Sequence, residues 1–296
     1  MKKHAYLIIA NKSFNQLQIL INTLDDVRND LYVLIDKKAS KAVPKFDVHN
    51  ANLTMLPRMS IFWGSYSQVE AEIALLQWSI DKKYDYYHFL SGQDLPLANQ
   101  NDIHNFFDNN PNKVFLTYSS VCSKKQISDR TKKYKFDRHF RNDDQIIQRI
   151  FWSVFRRLEK ILLLFQKSRV PVETVSYASN WVSIDHEFAE ILIDYKKWIY
   201  DHFHGGFLVD EVFIPTLINY LSLNDKVYYG FPVSDNPDEF QGNLRYINWW
   251  QGNPYTWKND SIGDLIKAKK MGHFFSRKFD ENVDSEIIKL VVSSLN

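Results

Sequence analysis

A single cysteine, Cys122, stands in a chain of 296 residues. It rules out an internal disulfide framework and fits a reducing compartment. Glycine and proline are scarce, nine of each, which excludes collagen-like and low-complexity classes. No apolar run approaches the ~20 residues that a membrane-spanning helix needs. The stretch Ala5–Ala10 is too short for a secretory core and reads as a first strand, and Ile161–Phe165 is shorter still. There is no phosphate-binding GxxxxGK[ST], no GxGxxG and no GxSxG, so ATPase, Rossmann dehydrogenase and α/β-hydrolase chemistry lose their main supports. With one cysteine there is no zinc-type cluster. A net charge of +2 gives no general case for nucleic acid. A cytoplasmic protein is expected, with a peripheral position at the inner face of a membrane as an addition.

What the chain does hold is aromatic: 8 Trp, 16 Tyr and 21 Phe. Such rings fill cores, and they also stack on sugars and bases. The first third alternates strands and helices. Strands are predicted at Ala5–Ala10, Leu31–Ile35, Leu53–Leu56, Tyr86–Leu90 and Val114–Tyr118, with helices at Phe14–Val27, Ser67–Ile80 and Ile103–Asp108. Ser67 with Glu70 three residues on has the pattern of a capping box. Strands separated by helices imply βαβ units and a largely parallel sheet, whose ligands sit beyond the carboxyl ends of the strands. Asp36 and Ser91–Asp94 fall there.

From 121 to 170 the character changes: 14 Lys and Arg against 5 Asp and Glu. Residues Asp144–Lys167 have the spacing of one long helix with an apolar stripe. A solvated basic face and a surface for anionic lipid both fit this pattern, and so, less directly, does nucleic acid. Mixed structure then resumes, with a strand at Tyr177–Ile184, a helix at His186–Lys197, and a loop carrying His202, His204, Gly205 and Gly206. That loop leads into a helix opened by Asp210-Glu211. A loop-rich stretch follows with Arg245, Trp249 and Trp250, and the chain ends in a helix.

Local chemistry leaves alternatives open. Asp36 at a strand end suits a ribose or uracil and also an ordinary polar turn. Gly92 in YYHFLSGQDLPL permits close backbone approach. Acidic residues at a helix start meet the helix dipole favourably, so Asp210 and Glu211 read equally as structural or catalytic. His202 and His204 with Asp210 could hold a metal, although loop histidines more often serve as caps or face solvent.

Seven segments in order, LYVLIDKKAS, FWGSYSQVEAEI, YYHFLSGQDLPL, ASNWVSID, VDEVFIPTLIN, LRYINWW and FFSRKFDENVD, resemble the core-2/I-branching β1,6-N-acetylglucosaminyltransferases and the peptide O-xylosyltransferases. The resemblance runs from about residue 5 to 290 and is interrupted by the basic stretch. It implies one GT-A type α/β domain over 1–296 with a basic helical insertion at about 121–170. It also implies a mostly parallel sheet flanked by helices, a UDP-sugar donor, inversion at the anomeric carbon, and no cofactor or divalent metal. The Asp-x-Asp that holds a metal in ordinary GT-A enzymes is absent.

Carried over position by position, the resemblance makes Glu211 the catalytic base, with a pKa raised by partial burial. Arg277 and Lys278 become the cations facing the leaving diphosphate. Asp36, Trp63 and Asp94 line the nucleotide-sugar site, while Trp249, Arg245 and Asp210 meet the acceptor. Xylosyltransferase-like members carry Asp where this chain has Asn180, which leaves Glu211 alone as base and weakens the xylosyltransferase assignment; UDP-N-acetylglucosamine is the expected donor, with UDP-xylose or a UDP-hexose as the alternative. The relatives in eukaryotes are anchored, disulfide-containing Golgi enzymes. This chain is expected to be a bacterial-type member acting on a glycan or lipid-linked oligosaccharide of exopolysaccharide synthesis. The rival reading is a non-catalytic carbohydrate- or membrane-surface-binding protein on the same fold.

Overall fold

The computed structural model describes residues 2–39, 42–134, 157–159, 161–252 and 254–295. The first half runs β1 (His4–Ala10), α1 (Phe14–Leu24), β2 (Asn29–Ile35), β3 (Asn52–Met55), α2 (Ser67–Ser79), β4 (Tyr86–Ser91), β5 (Leu95–Pro96), α3 (Gln100–Asn109) and α4 (Lys124–Arg130). After these come β6 (Ser183–Asp185), α5 (His186–Asp194), α6 (Lys196–Phe203), α7 (Phe213–Tyr220), β7 (Arg245–Ile247), α8 (Ile262–Lys270), β8 (Phe275–Arg277) and α9 (Ser285–Ser293).

The main sheet has the order β3-β2-β1-β4-β6, parallel throughout except for β6. β1 and β2 are near-continuous apolar runs because helices cover both faces of the sheet. The pleat then sorts alternate side chains. Ala5, Leu7, Tyr32, Leu34, Tyr87 and Phe89 join one core with Val69, Ile73 and Leu76 of α2. Tyr6, Ile8, Leu31, Val33, Tyr86 and Leu90 join the other with Leu17, Leu20, Ile21 and Leu24 of α1. Burying each such aliphatic side chain contributes about 1.5–3 kcal/mol. The mixed α/β architecture with a mostly parallel sheet flanked by helices is the one the sequence predicts.

A small second sheet, β5-β8-β7, positions the site. β8 runs antiparallel to β5 and parallel to β7, which brings residues 275–278 beside the turn that follows β4. Gly92 in that turn must be glycine for space: a Cβ there would lie 2.9 Å from the Cβ of Ala10.

Several sequence expectations give way to tertiary context. Ser67 is the first residue of α2 and not its cap; its hydroxyl accepts from the Phe62 amide instead, so no capping box forms. A capping box does form at α4, between Ser123 and Gln126. Val114–Tyr118 makes isolated bridges in place of a regular strand, and the 177–184 strand shortens to Ser183–Asp185. The helix predicted over 186–197 divides at Tyr195 into α5 and α6, which places His202 on a helix. Asp210 and Glu211 do not open a helix. They close a 3-10 turn, Val209–Glu211, ahead of α7. α8 occupies part of the stretch read as loop. Of the long helix predicted over 144–167, residues 144–156 and 160 lie outside the described residues.

Candidate active site

The carboxyl ends of β1, β2 and β4 deliver Lys12, Asp36 and Ser91–Asp94 to one edge, and β8 adds Arg277 and Lys278. Asp94 accepts from the Ser91 amide at 3.0 Å and the Ser91 hydroxyl at 2.6 Å, and its Oδ1 lies 3.5 Å from Nε of Arg277. Arg277 lays its guanidinium over the Trp181 ring, 4.5 Å from the centroid, and its Nη1 has no hydrogen-bond partner. Burial lowers its pKa and Asp94 opposes that. Burial also pushes the Lys278 amine below the ordinary lysine range; Lys12 and Arg277 act the same way, and Asp280 opposes them. Lys12 Nζ is 2.6 Å from Asp280, which also receives Gln93 at 3.3 Å. Two cations close enough to depress the Lys278 amine make this edge chemically suited to an anion.

Asp36 is buried and its carboxylate is committed locally. It accepts from the Lys38 amide at 2.9 Å and lies 3.3 Å from Lys38 Nζ, which in turn bonds the Ile61 carbonyl. This fixes the turn leading to Trp63, an exposed indole set edge-on to Phe207 with centroids 5.9 Å apart.

Glu211 lies on the 3-10 turn with its side chain 20% exposed, and its Oε2 is 2.7 Å from Nη1 of Arg130. Leu208, just before the turn, has a φ of 52°, a left-handed conformation that costs energy for a branched side chain. Leu208 is held there by a 2.8 Å bond from its amide to the Gly64 carbonyl. Asp210 points the other way. It is 4% exposed and accepts from Gln68 at 3.1 Å and Asn180 at 3.3 Å, with Oδ1 left unpartnered. The carboxyl pushed towards neutrality is therefore Asp210, to about 7, by burial and then by the charge of Glu211. Glu72 lies buried behind it with a pKa raised by burial and by Asp210.

A continuous path of contacts joins the two halves: Arg277 on Trp181, its neighbour Asn180 on Asp210, and Glu211 on Arg130. A second path runs from Asp210 through Gln68 to the Gly64 amide beside Trp63. Three residues read as ligand contacts sit elsewhere in this scheme. Arg245 is 1% exposed and spends its guanidinium on the carbonyls of Asn243, Phe89 and Val182. Burial lowers its pKa to about 9. It has no surface to offer an acceptor and acts as a brace between β4 and β7. Asp94, also 1% exposed, is the counter-ion of Arg277. Asp210 is likewise too buried to meet an acceptor. Trp249 is exposed on the loop after β7.

His202 bonds the Trp198 carbonyl and His204 stacks on Tyr200, so neither joins Asp210. Among the described residues, no group of three or more His, Cys, Asp or Glu is placed to hold a metal ion. Sequence reasoning missed Lys12 and Arg130. Lys12 had a usable signal, two residues beyond the end of β1; Arg130 lies in the basic stretch with no motif to mark it.

No helix among the described residues is long and apolar enough to cross a membrane. No curated protein matches the chain. The apo crystal structure of mouse xyloside xylosyltransferase 1 is similar over 93% of this chain and 97% of its own, with a TM-score of 0.38 and 10% sequence identity. The family profile described as Core-2/I-Branching enzyme matches residues 4–269, most of the chain. On that match the chain belongs to the core-2/I-branching enzyme family of glycosyltransferases, which use a nucleotide-sugar donor and a glycan acceptor.

Proposed function

We propose that the protein is an inverting, metal-independent glycosyltransferase that moves N-acetylglucosamine from its UDP-sugar to a glycan hydroxyl. The observation that carries this reading is the geometry of Glu211. A partly exposed carboxylate is held on one oxygen by Arg130, and its chain neighbour Asp210 bonds Asn180, whose own neighbour Trp181 lies under Arg277 at the cationic edge. The acceptor oxygen attacks C1 from the face opposite UDP, and the C1–O bond forms as the bond to the β-phosphate oxygen breaks. Its proton passes to Glu211, and the electron pair leaves with UDP. Arg277 and Lys278 neutralise the charge that develops on the diphosphate, the task a metal performs in other glycosyltransferases.

Release of UDP is measured across a panel of UDP-sugars, with and without excess EDTA, for the wild type and Glu211→Gln. Expected are a preference for UDP-N-acetylglucosamine, indifference to EDTA, and a 10²–10⁴-fold loss in Glu211→Gln with UDP binding intact. Turnover retained by Glu211→Gln removes the base assignment. Loss in EDTA restored by manganese removes metal independence.

The acceptor is proposed to be lipid-linked, at an anionic membrane surface. Leu164 is 78% and Phe165 84% exposed, in the stretch with nine more basic than acidic residues. Co-sedimentation with phosphatidylglycerol vesicles, lost in Leu164→Glu/Phe165→Glu, tests this; equal pelleting of that variant overturns it.

A further inference from the structure

The basic stretch is wired into the loop that carries Glu211. From α4, the Arg130 carbonyl accepts from the Phe207 amide at 2.9 Å, and the Tyr134 amide donates to the Gly205 carbonyl at 2.8 Å. Gly206 is in such close contact that a Cβ there would lie 2.6 Å from the Arg130 carbonyl oxygen. From the far end of the stretch, Arg169 donates to the His204 carbonyl at 2.7 Å and to the Thr131 carbonyl at 2.7 Å. The hydroxyls of Thr131 and Ser168 lie 2.8 Å apart, closing the two ends on each other. The backbone of residues 204–208 is thus gripped from one side by residues 130–134 and 169.

At the centre of this grip is one guanidinium. Arg130 Nη1 lies 2.7 Å from Glu211 Oε2 and 3.4 Å from the Leu208 carbonyl, and the group rests on the Tyr177 ring, 4.6 Å from its centroid. Burial alone would lower the Arg130 pKa; the charge and hydrogen bond of Glu211 reverse that. A planar guanidinium that is stacked on a ring and bonded to the backbone has few orientations left, so it fixes the rotamer of the carboxylate it holds.

We propose that Arg130 is a positioning residue for the base: it holds Oε2 of Glu211 so that Oε1 faces the acceptor hydroxyl and takes its proton. The role rests on the reading of Glu211 as the base. The basic stretch then serves the chemistry directly through Arg130, whatever surface its other cations meet.

The test compares Arg130→Ala, Arg130→Lys and Glu211→Gln by steady-state kinetics in the full chain, with thermal unfolding as a control. Arg130→Ala is expected to lower kcat at least tenfold while leaving KM for the UDP-sugar within twofold. Arg130→Lys, which keeps the charge but not the planar fork, is expected to fall between. Added guanidinium chloride at millimolar concentration restores part of the Arg130→Ala rate and none of the Glu211→Gln rate. A kcat for Arg130→Ala within twofold of wild type, with Glu211→Gln inactive, overturns the role of Arg130 alone. Turnover retained by Glu211→Gln overturns the base assignment and this role with it. If Arg130→Ala unfolds, Arg130→Lys decides: a wild-type kcat in that variant means that the fork geometry does no positioning.

Discussion

The carboxamide of Asn180 donates to the buried carboxylate of Asp210 at 3.3 Å, next in sequence to the partly exposed Glu211. Two acidic neighbours in sequence thus face opposite ways and hold different environments. Asp210 is packed against Gln68, Asn180 and Glu72, and Glu211 looks out past Arg130. An amide at position 180 suits this arrangement, because an acid there would put a third carboxyl into a dry cluster where burial already disfavours the charged form of Asp210 and Glu72.

Asp210 makes the stability of the protein depend on pH in a specific sense. Its folded pKa of about 7 lies above the ordinary 3.8. Between those values the folded state keeps a proton that the unfolded state has lost, so this group's contribution to stability falls as pH rises through the window. The steepest slope for one group is about 1.4 kcal/mol per pH unit. Asp210→Asn removes this titration while keeping an acceptor for Gln68. Its melting temperature relative to wild type should therefore climb between pH 5 and pH 8; a gap that stays constant across that range rules the assignment out.

The sheet was legible because its signals are local. β1, β2 and β4 are apolar runs that no other element would bury, and α1 and α3 have helical spacing. The site was legible only in part, because burial and pairing are decided by parts of the chain that are far apart in sequence. Nothing near Arg245 indicates that Phe89 and Val182 will enclose it, and nothing near Glu211 indicates that Arg130 will reach it from 81 residues away. Asp210-Glu211 fails as a helix start for a related reason. Leu208 takes a left-handed φ to bond Gly64, and the chain must turn before α7 can begin.

Lys12 is expected to leave Asp280 for the diphosphate of the donor. It is half-exposed, whereas Asp280 is nearly covered, so the lysine is the partner free to swing. Loss of one charge-assisted contact costs about 1.5–3 kcal/mol, roughly ten- to hundredfold in Kd. Titration of UDP by calorimetry should give Lys12→Ala this loss, reduced at high salt, while Asp280→Asn binds UDP at least as well as wild type. Wild-type affinity in Lys12→Ala would remove the lysine from the anion site.

Three buried histidines oppose the pH dependence set by Asp210. His4 and His104 stack with ring centroids 4.0 Å apart, His88 Nε2 lies 3.1 Å from His4 Nδ1, and His88 Nδ1 is 2.7 Å from the Ser183 hydroxyl. Burial drives all three pKa values down, that of His104 to about 4, and for His4 and His88 the neighbouring imidazoles add to the effect. Each ring is neutral in the fold and free to charge in the unfolded chain. As pH falls below the ordinary 6.5, the unfolded state gains protons first, so stability is lost between about 6.5 and 4. The opposing contribution of Asp210 makes the clean experiment one in the Asp210→Asn background. Urea unfolding of that protein should weaken steeply from pH 6.5 to pH 4.5, and adding His88→Gln should flatten the slope, since glutamine can still bond Ser183 without a titrating ring. An unchanged slope in the double variant would show that His88 does not carry the acid sensitivity of this core.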